Sequence, residues 1–183
     1  HKKAEKIFRV PSNLLSLVLF IEKESATLIV SSVIFLSLEY RRPARNRMGL
    51  ELHIFDFDGT LFKSPHRPKW WPHQGWWGLT ASLDPPCVPE NPGSEWWGGS
   101  TIAAAKKSIS NSDVWAVVMT GRVEKKFRFR VSQLLKQRGL RFDEVYLNPG
   151  GDTSTVKKKY MFNILNRHPD IDAVHIWEDR HMS

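Results

Sequence analysis

Two aspartates in the sequence Asp56-Phe57-Asp58-Gly59-Thr60 have the residue types and the spacing for nucleophilic and acid–base chemistry. If the chain turns here after a strand, as Gly59 permits, both carboxylates face the same crevice. One can then attack phosphorus as a nucleophile, and the other can act as an acid toward the leaving oxygen and as a base toward water. A simple Asx turn is the alternative for an isolated pair, but the flanking apolar residues and Thr60-Leu61 favour the catalytic interpretation.

Two later segments carry groups that suit a phosphate. Thr120-Gly121-Arg122 follows an apolar run, where a hydroxyl and backbone N–H groups at a helix N-terminus can bind phosphate; a plain N-cap is the alternative. The segment from Asp152 ends in three adjacent lysines, residues 157–159. One lysine there can neutralise a transferring phosphoryl group, but residue types alone do not choose among the three. For each lysine taken singly, a solvated helix face is the favoured explanation.

A further acidic pair, Glu178-Asp179, follows the last apolar run and precedes Arg180. Acidic oxygens are the ligands that Mg²⁺ prefers, and a cation there would offset the repulsion between Asp56 and a phosphate dianion. The sequence therefore predicts Mg²⁺ as the cofactor, with an ordinary charged loop as the alternative. The predicted metal ligands are Asp56, Asp58, Glu178 and Asp179, and which of the last two binds directly is left open.

The elements that position these groups alternate along the chain. Apolar runs at residues 52–55, 113–119, 144–147 and 173–177 predict strands. Apolar residues at helical spacing predict helices near residues 102–110, 123–138 and 155–166. This alternation predicts an α/β fold with a parallel sheet and helices on both faces, so the groups that follow the strands meet at one edge.

Residues 61–100 are expected to form a loop insertion over the carboxyl ends of the strands, because they hold most of the eleven prolines and three pairs of tryptophans. The tryptophans can stack on nucleic-acid bases, or they can form the core of a small cap. The second interpretation is favoured, with one or two rings exposed at the mouth. The possible substrate contacts are Trp70, Trp76, Trp77 and Arg122.

Composition indicates a soluble globular protein, with 41% hydrophobic and 25% charged residues in 183. The lone cysteine, Cys87, allows no intrachain disulfide and favours a reducing intracellular compartment, with cytoplasm and nucleus not distinguished. The net charge of +8 is a weak argument for nucleic acid, because residues 1–47 hold nine basic residues against four acidic ones. Histidines at 53, 66 and 73 lack the paired spacing of a metal site and are expected to be ordinary strand and loop residues.

Residues 1–47 are expected to be a poorly specified extension, with the catalytic domain spanning residues 48–183. Met48 resembles a natural start, and two apolar runs at 14–21 and 26–38 are each too short to span a bilayer. A membrane or docking helix is the rival interpretation of this extension. Because the chain stops directly after the last acidic motif, it is also expected to be a fragment that lacks a further helix.

The segment from residue 48 to residue 180 resembles the phosphatases of the haloacid dehalogenase (HAD) superfamily, a Rossmannoid three-layer fold. More narrowly, it resembles the HAD domain of the Swiss Army Knife RNA repair proteins. The matching motifs are Ile54 to Phe62, Ser64-Pro65, Trp70, Gly75-Trp76-Trp77, Thr120-Gly121-Arg122, Thr153-x-x-Val156-Lys157 and Trp177-Glu178-Asp179-Arg180. The resemblance implies Asp56 as nucleophile and Asp58 as acid and base. It implies Thr120, Gly121 and Lys157 as phosphate ligands, and Asp56, the Asp58 carbonyl and Asp179 around Mg²⁺.

These features predict a Mg²⁺-dependent phosphomonoester hydrolase that works through an aspartyl-phosphate, on RNA or DNA ends in repair or processing. The alternatives are a nucleic-acid-binding or adaptor domain that turns over little, and a phosphatase of small metabolites. The sequence gives no strong argument for a membrane and specifies no protein partner.

Overall fold

The computed structural model of the chain describes residues 5–9, 49–69, 71 and 75–179. These residues form five strands and three α-helices in an α/β arrangement. The strands are β1 (Glu5–Arg9), β2 (Leu50–Phe55), β3 (Val114–Val123), β4 (Glu144–Asn148) and β5 (Ile171–Trp177). The helices are α1 (Gly99–Ile109), α2 (Glu124–Gln137) and α3 (Thr153–Arg167).

The sheet has the strand order β1-β5-β2-β3-β4. Strands β5, β2, β3 and β4 run parallel, so the predicted α/β fold with a parallel sheet is confirmed in its main part. Their carboxyl ends meet at one edge, which brings together the segments after Phe55, Met119, Asn148 and Trp177. Strand β3 is longer than predicted, because it continues through Thr120-Gly121-Arg122 after a register shift between Met119 and Val123.

The sheet buries apolar side chains on both faces, as the near-continuous hydrophobic runs of parallel strands require. On one face, Phe55 and Val118 pack against α1 and α2 through residues such as Ala105 and Phe127. On the other face, Leu52 and Ile54 pack with the α3 residue Ile164. Helices therefore cover both faces, as predicted.

The segment 56–98 connects β2 to α1, and its described residues contain no long helix or strand. Three short 3-10 turns occur in this stretch, at Trp76–Gly78, Thr80–Ser82 and Ser94–Trp96. The α2 residue Arg130 is buried and donates to the carbonyls of Leu83 (2.9 Å), Pro89 (2.8 Å) and Glu90 (3.1 Å). Arg130 thus holds the connecting segment against α2.

A charged cluster joins β4 to the end of α3. The Glu144 carboxylate accepts hydrogen bonds from Arg167 Nη1 (2.9 Å) and Nη2 (2.7 Å), from the Tyr146 hydroxyl and from Trp115 Nε1 (3.4 Å). Burial favours the protonated form of Glu144, but these hydrogen bonds outweigh burial and hold the pKa of Glu144 below its usual range.

Strand β1 pairs antiparallel with β5, although it belongs to the extension that no sequence pattern resolved. The two apolar runs at 14–21 and 26–38 lie outside the described residues, as do Trp70, His73 and Arg180. Among residues 5–9, 49–69, 71 and 75–179, no helix combines the length and the apolar character needed to cross a membrane.

Candidate active site

Asp56 lies directly after β2 and is enclosed, with 8% of its surface exposed. Its backbone N–H donates to the Trp177 carbonyl at 3.0 Å, which joins the ends of β2 and β5. The chain then turns at Gly59, whose φ is +70°. A Cβ at Gly59 would lie 2.3 Å from Asp179 Oδ2, so the Asp179 carboxylate rests against this turn. The two acidic segments predicted to act together are therefore neighbours.

Lys157 connects the two acidic segments. Its Nζ donates to Asp56 Oδ1 at 2.9 Å and to Glu178 Oε1 at 3.1 Å. Helix α3 positions this lysine because the Asp152 side chain caps the helix by accepting the Thr155 N–H at 2.7 Å. Lys157 then lies in the second turn and points toward the sheet edge. Among the three adjacent lysines, the structure places Lys157 against Asp56.

Burial governs the charges of this cluster. It raises the pKa of the Asp56 carboxyl to about 6, even though Lys157 acts in the opposite direction. Burial also disfavours the ammonium form of Lys157, but the attraction of Asp56 and Glu178 is larger and raises the pKa of Lys157 above its usual range. Lys157 therefore stays charged, while Asp56 sits where additional positive charge would favour its ionised form.

Asp58 is held on the other side of the turn by Arg122. Arg122 Nη2 lies 2.7 Å from Asp58 Oδ1, and Nε lies 3.0 and 3.1 Å from the two carboxylate oxygens. Ser64 Oγ donates to Asp58 at 2.5 Å, and Thr120 Oγ1 donates at 3.3 Å. These three side chains restrict the Asp58 carboxylate to one orientation beside Asp56.

Arg122 also connects Asp58 to the segment that follows the predicted site. The guanidinium is 3% exposed, and its Nη1 donates to the Trp77 carbonyl at 3.0 Å and to Ser82 Oγ. Its donors are thus engaged within the protein. In this structure Arg122 orients the Asp58 carboxylate. A direct contact between Arg122 and the substrate stays a prediction.

Thr120 and Gly121 are placed at the same edge, but within β3 rather than at the start of a helix. The buried Thr120 hydroxyl accepts the Arg122 N–H at 3.2 Å. A Cβ at Gly121 would lie 3.0 Å from Thr153 Cγ2, at the first residue of α3. The helix N-terminus that lies against Gly121 is therefore the N-terminus of α3. Helix α2, which follows in the chain, begins only at Glu124.

The tryptophans of the connecting segment divide into buried and exposed rings. Trp76 is 1% exposed and its Nε1 donates to the Pro65 carbonyl at 3.1 Å. Trp97 is also in the core. Trp77 is 40% exposed, and its ring lies over Arg122 with 5.0 Å between the ring centre and Cζ. Trp76 therefore belongs to the core, and Trp77 is the member of this pair whose ring is exposed enough to contact a substrate.

Sequence reasoning assigned no role to Ser64 or Ser82, although both contact the Asp58–Arg122 pair. Ser64 belongs to the Ser64-Pro65 motif, for which no function was predicted. Its position six residues after Asp58 was the feature that could have indicated this contact. Ser82 is 40 residues from Arg122, so no local pattern could indicate the contact.

The residues that could hold a divalent cation are oxygen donors. Asp56 and Asp179 lie on the two sides of the Gly59 turn, and the Asp58 backbone belongs to the same turn. Glu178 is engaged with Lys157. The enclosed Asp56 carboxylate and the exposed Asp179 carboxylate offer the oxygen ligands that a hard cation such as Mg²⁺ prefers. The raised pKa of Asp56 is consistent with a position that needs further positive charge.

Comparison with known proteins relates the chain to a family and to curated proteins. The family described as "HAD domain family 1 in Swiss Army Knife RNA repair proteins" matches residues 58–183. The protein "Uncharacterized protein YMR265C" of Saccharomyces cerevisiae is 28% identical over 160 residues, which covers 71% of this chain and 34% of that protein. The chain therefore spans about a third of the length of this curated relative. No solved structure matches the chain.

Proposed function

Because the chain belongs to HAD domain family 1 of the Swiss Army Knife RNA repair proteins, we propose that it is a Mg²⁺-dependent phosphomonoester hydrolase with Asp56 as its nucleophile. Membership of the family confirms the resemblance indicated by the motifs, and it supports phosphatase-type chemistry. The observation that carries the proposal is the contact of enclosed Asp56 with the Lys157 ammonium at 2.9 Å. A carboxylate and a cation paired at the carboxyl edge of a parallel sheet are suited to phosphoryl transfer.

In the first step, an Asp56 carboxylate oxygen attacks phosphorus while the bond from phosphorus to the leaving oxygen breaks. Asp58 gives a proton to that oxygen, and the phosphoryl group remains as an acyl phosphate on Asp56. In the second step, Asp58 takes a proton from water, and the water oxygen attacks phosphorus and releases inorganic phosphate and the Asp56 carboxylate. Arg122, Ser64 and Thr120 keep the Asp58 carboxylate in the orientation that both steps need.

Lys157 and the Thr120–Gly121 segment serve the phosphoryl oxygens. The Lys157 ammonium keeps its charge and lies beside Asp56, so it can offset negative charge as that charge shifts during transfer. The Thr120 hydroxyl is within reach of Asp58 and faces the same crevice. The start of α3 lies against Gly121, and its backbone N–H groups favour an anion.

We assign the cation site to Asp56, Asp179 and the Asp58 carbonyl. When bound there, Mg²⁺ supplies positive charge that lowers the repulsion between the Asp56 carboxylate and the phosphate. Glu178 makes its contact with Lys157 instead, which supports Asp179 over Glu178 as the direct ligand. Glu178 then orients the lysine.

The substrate is proposed to be the phosphorylated end of a nucleic acid, RNA in the first place. The support is the family match together with a half-exposed Trp77 ring beside the Asp58–Arg122 pair. Lys126 Nζ donates to the Gly78 carbonyl at 2.9 Å, which places a cation next to the same turn. An aromatic ring of this kind can stack on a base with about 1–3 kcal/mol.

The test is a turnover assay of the full chain with 3′-phosphorylated oligoribonucleotides, oligodeoxynucleotides, mononucleotides and sugar phosphates, in Mg²⁺ and in EDTA. Asp56→Asn should abolish phosphate release, while Asp113→Asn, an exposed aspartate at the opposite end of β3, should leave it unchanged. Full turnover by Asp56→Asn would contradict the nucleophile assignment.

The same screen distinguishes the substrate classes. An oligonucleotide substrate should be bound less tightly as salt rises, because its phosphates release counterions on binding. Turnover of sugar phosphates alone would identify a phosphatase of small metabolites. Binding of RNA without turnover by the wild type would identify a nucleic-acid-binding domain.

A further inference from the structure

A second cluster of metal-ligating side chains lies on β2 and β5, away from the candidate active site. Glu51 and His53 are two residues apart on β2, so their side chains leave the same face of the sheet. His175 of β5 is the register partner of His53 across the parallel pair. All three side chains therefore project toward α1.

The ligand atoms of this cluster converge. His53 Nε2 lies 2.9 Å from Glu51 Oε2, and His175 Nε2 lies 3.6 Å from the same oxygen. One ligand atom from each of the three residues lies within 4.8 Å of the other two. A tetrahedral site with metal–ligand distances near 2.0–2.1 Å has ligand atoms about 3.3 Å apart. The distances of the Glu51 oxygen from His53 Nε2 (2.9 Å) and from His175 Nε2 (3.6 Å) are both close to that spacing.

Ser108 of α1 fixes the orientation of the His53 ring. The Ser108 hydroxyl donates to the Ala104 carbonyl at 3.0 Å, four residues earlier in the helix. Its oxygen also lies 2.7 Å from His53 Nδ1, within hydrogen-bond distance. This contact turns Nε2, the other ring nitrogen, toward the Glu51 carboxylate.

A metal ion fits this orientation of the His53 ring. A metal-bound histidine commonly donates its second ring N–H to an oxygen, which orients the ring, and the His53–Ser108 contact has this form. The two-imidazole, one-carboxylate donor set suits Zn²⁺ better than Mg²⁺, which prefers oxygen ligands. The Glu51 side chain is 43% exposed, so an ion has access from solvent.

We propose that Glu51, His53 and His175 form a Zn²⁺ site that fastens β2 to β5. His53 precedes Asp56 by three residues, which corresponds to about 10 Å along a strand, so the site is separate from the proposed Mg²⁺ site. The ion would connect the two strands whose carboxyl ends carry Asp56 and the Glu178-Asp179 pair. It stabilises the alignment of those ends without touching the substrate.

The experiment uses Co²⁺ as a spectroscopic probe for Zn²⁺ on the full chain, with Mg²⁺ in excess to fill oxygen sites. One equivalent of Co²⁺ should give visible absorption bands that Zn²⁺ removes. Glu51→Gln and His175→Gln should each raise the Co²⁺ dissociation constant at least tenfold, because each removes a proposed ligand. Ser108→Ala should raise it about 10–100-fold, because the His53 ring loses the hydroxyl that orients it. His168→Gln is the matched control, because His168 packs on Trp115 outside the cluster, and it should bind as the wild type does.

The Asp56→Asn variant separates this site from the proposed active site. It should bind Co²⁺ with unchanged affinity, whether or not the phosphatase proposal holds. The Zn²⁺ site is overturned if the wild type takes up no Co²⁺. It is also overturned if Glu51→Gln, folded by circular dichroism, binds Co²⁺ as tightly as the wild type, or if Asp56→Asn removes the bound ion.

Discussion

Replacing Gly59 by alanine should damage the proposed Mg²⁺ site selectively. Gly59 has a φ of +70°, a region that costs an L-residue about 1–2 kcal/mol. A Cβ there would lie 2.3 Å from Asp179 Oδ2 and 2.8 Å from Cγ, far inside van der Waals contact. The Asp179 carboxylate must therefore move. If Asp179 binds the ion, the variant loses Mg²⁺ affinity in addition to folding stability.

Gly139 provides a matched control for the backbone effect. Its φ is +74°, and a Cβ there would meet nothing within 4 Å. Gly139→Ala should lower the free energy of unfolding by the same ~1–2 kcal/mol, equivalent to a fall in Tm of roughly 2–8 °C for a chain of this length. Its Mg²⁺ dependence should equal that of the wild type, because no ligand is displaced.

The two variants are compared by urea unfolding in EDTA and by oligonucleotide dephosphorylation against Mg²⁺ concentration. Gly59→Ala should require about tenfold or more Mg²⁺ for half-maximal turnover, by analogy with the loss of a group that positions a metal ligand. If Gly59→Ala and Gly139→Ala are equally destabilised and share the wild-type Mg²⁺ requirement, Asp179 does not bind the ion, and the assignment of the metal carboxylates is refuted.

Three further substitutions test other parts of the structure. Arg122→Met should lower the free energy of unfolding, measured by urea titration, by about 3 kcal/mol, because it leaves the partly buried Asp58 carboxylate without its cation. Arg128→Met is the control. It breaks an exposed ion pair within one helix and should lower the same free energy by only ~0.3–0.5 kcal/mol. Lys157→Met should reduce kcat by roughly 10²–10³-fold, whereas Lys159→Met, on an exposed position, should not. Since the folded-state pKa of Glu144 is lowered, its stabilising effect is present at pH values above its unfolded pKa and is lost as pH falls through the folded pKa. The stability advantage of the wild type over Glu144→Gln should accordingly shrink between pH 6 and pH 3 in thermal unfolding, and an advantage that grew toward low pH would contradict the sign of the shift.

Local sequence patterns predicted most of the regular structure. The apolar runs at 52–55, 113–119, 144–147 and 173–177 correspond to β2 to β5, with ends displaced by a few residues. This succeeded because a strand buried on both faces is apolar throughout, and a helix packed on one face is apolar every three or four residues. Strand β1 was not predicted, because a five-residue edge strand, Glu5–Arg9, has too little pattern of its own and is defined by its pairing with β5.

The candidate active site was predictable in its residues but not in its contacts. Asp56, Asp58 and the Glu178-Asp179 pair follow strands. Thr120 lies near the carboxyl end of β3, and Lys157 lies in the second turn of α3. Parallel topology brings such positions to one edge. Their partners were not predictable. The contacts of Arg122 with Asp58, Trp77 and Ser82 depend on where the described part of the segment after β2 lies relative to β3.

The sequence by itself determined which chemical groups stand at the ends of the strands, because that information lies in local order: an apolar run, then Asp56 and Asp58, and later Glu178 and Asp179. Only the tertiary structure decided which of these groups touch. It placed Glu178 on Lys157 and Asp179 against Gly59, and it brought His53 beside His175, 122 positions later, through the register of β2 and β5. The physical reason is that side-chain contacts at long sequence separation follow from strand register and helix packing, and a one-residue change of register would turn each strand's side chains to the opposite face without changing any local pattern.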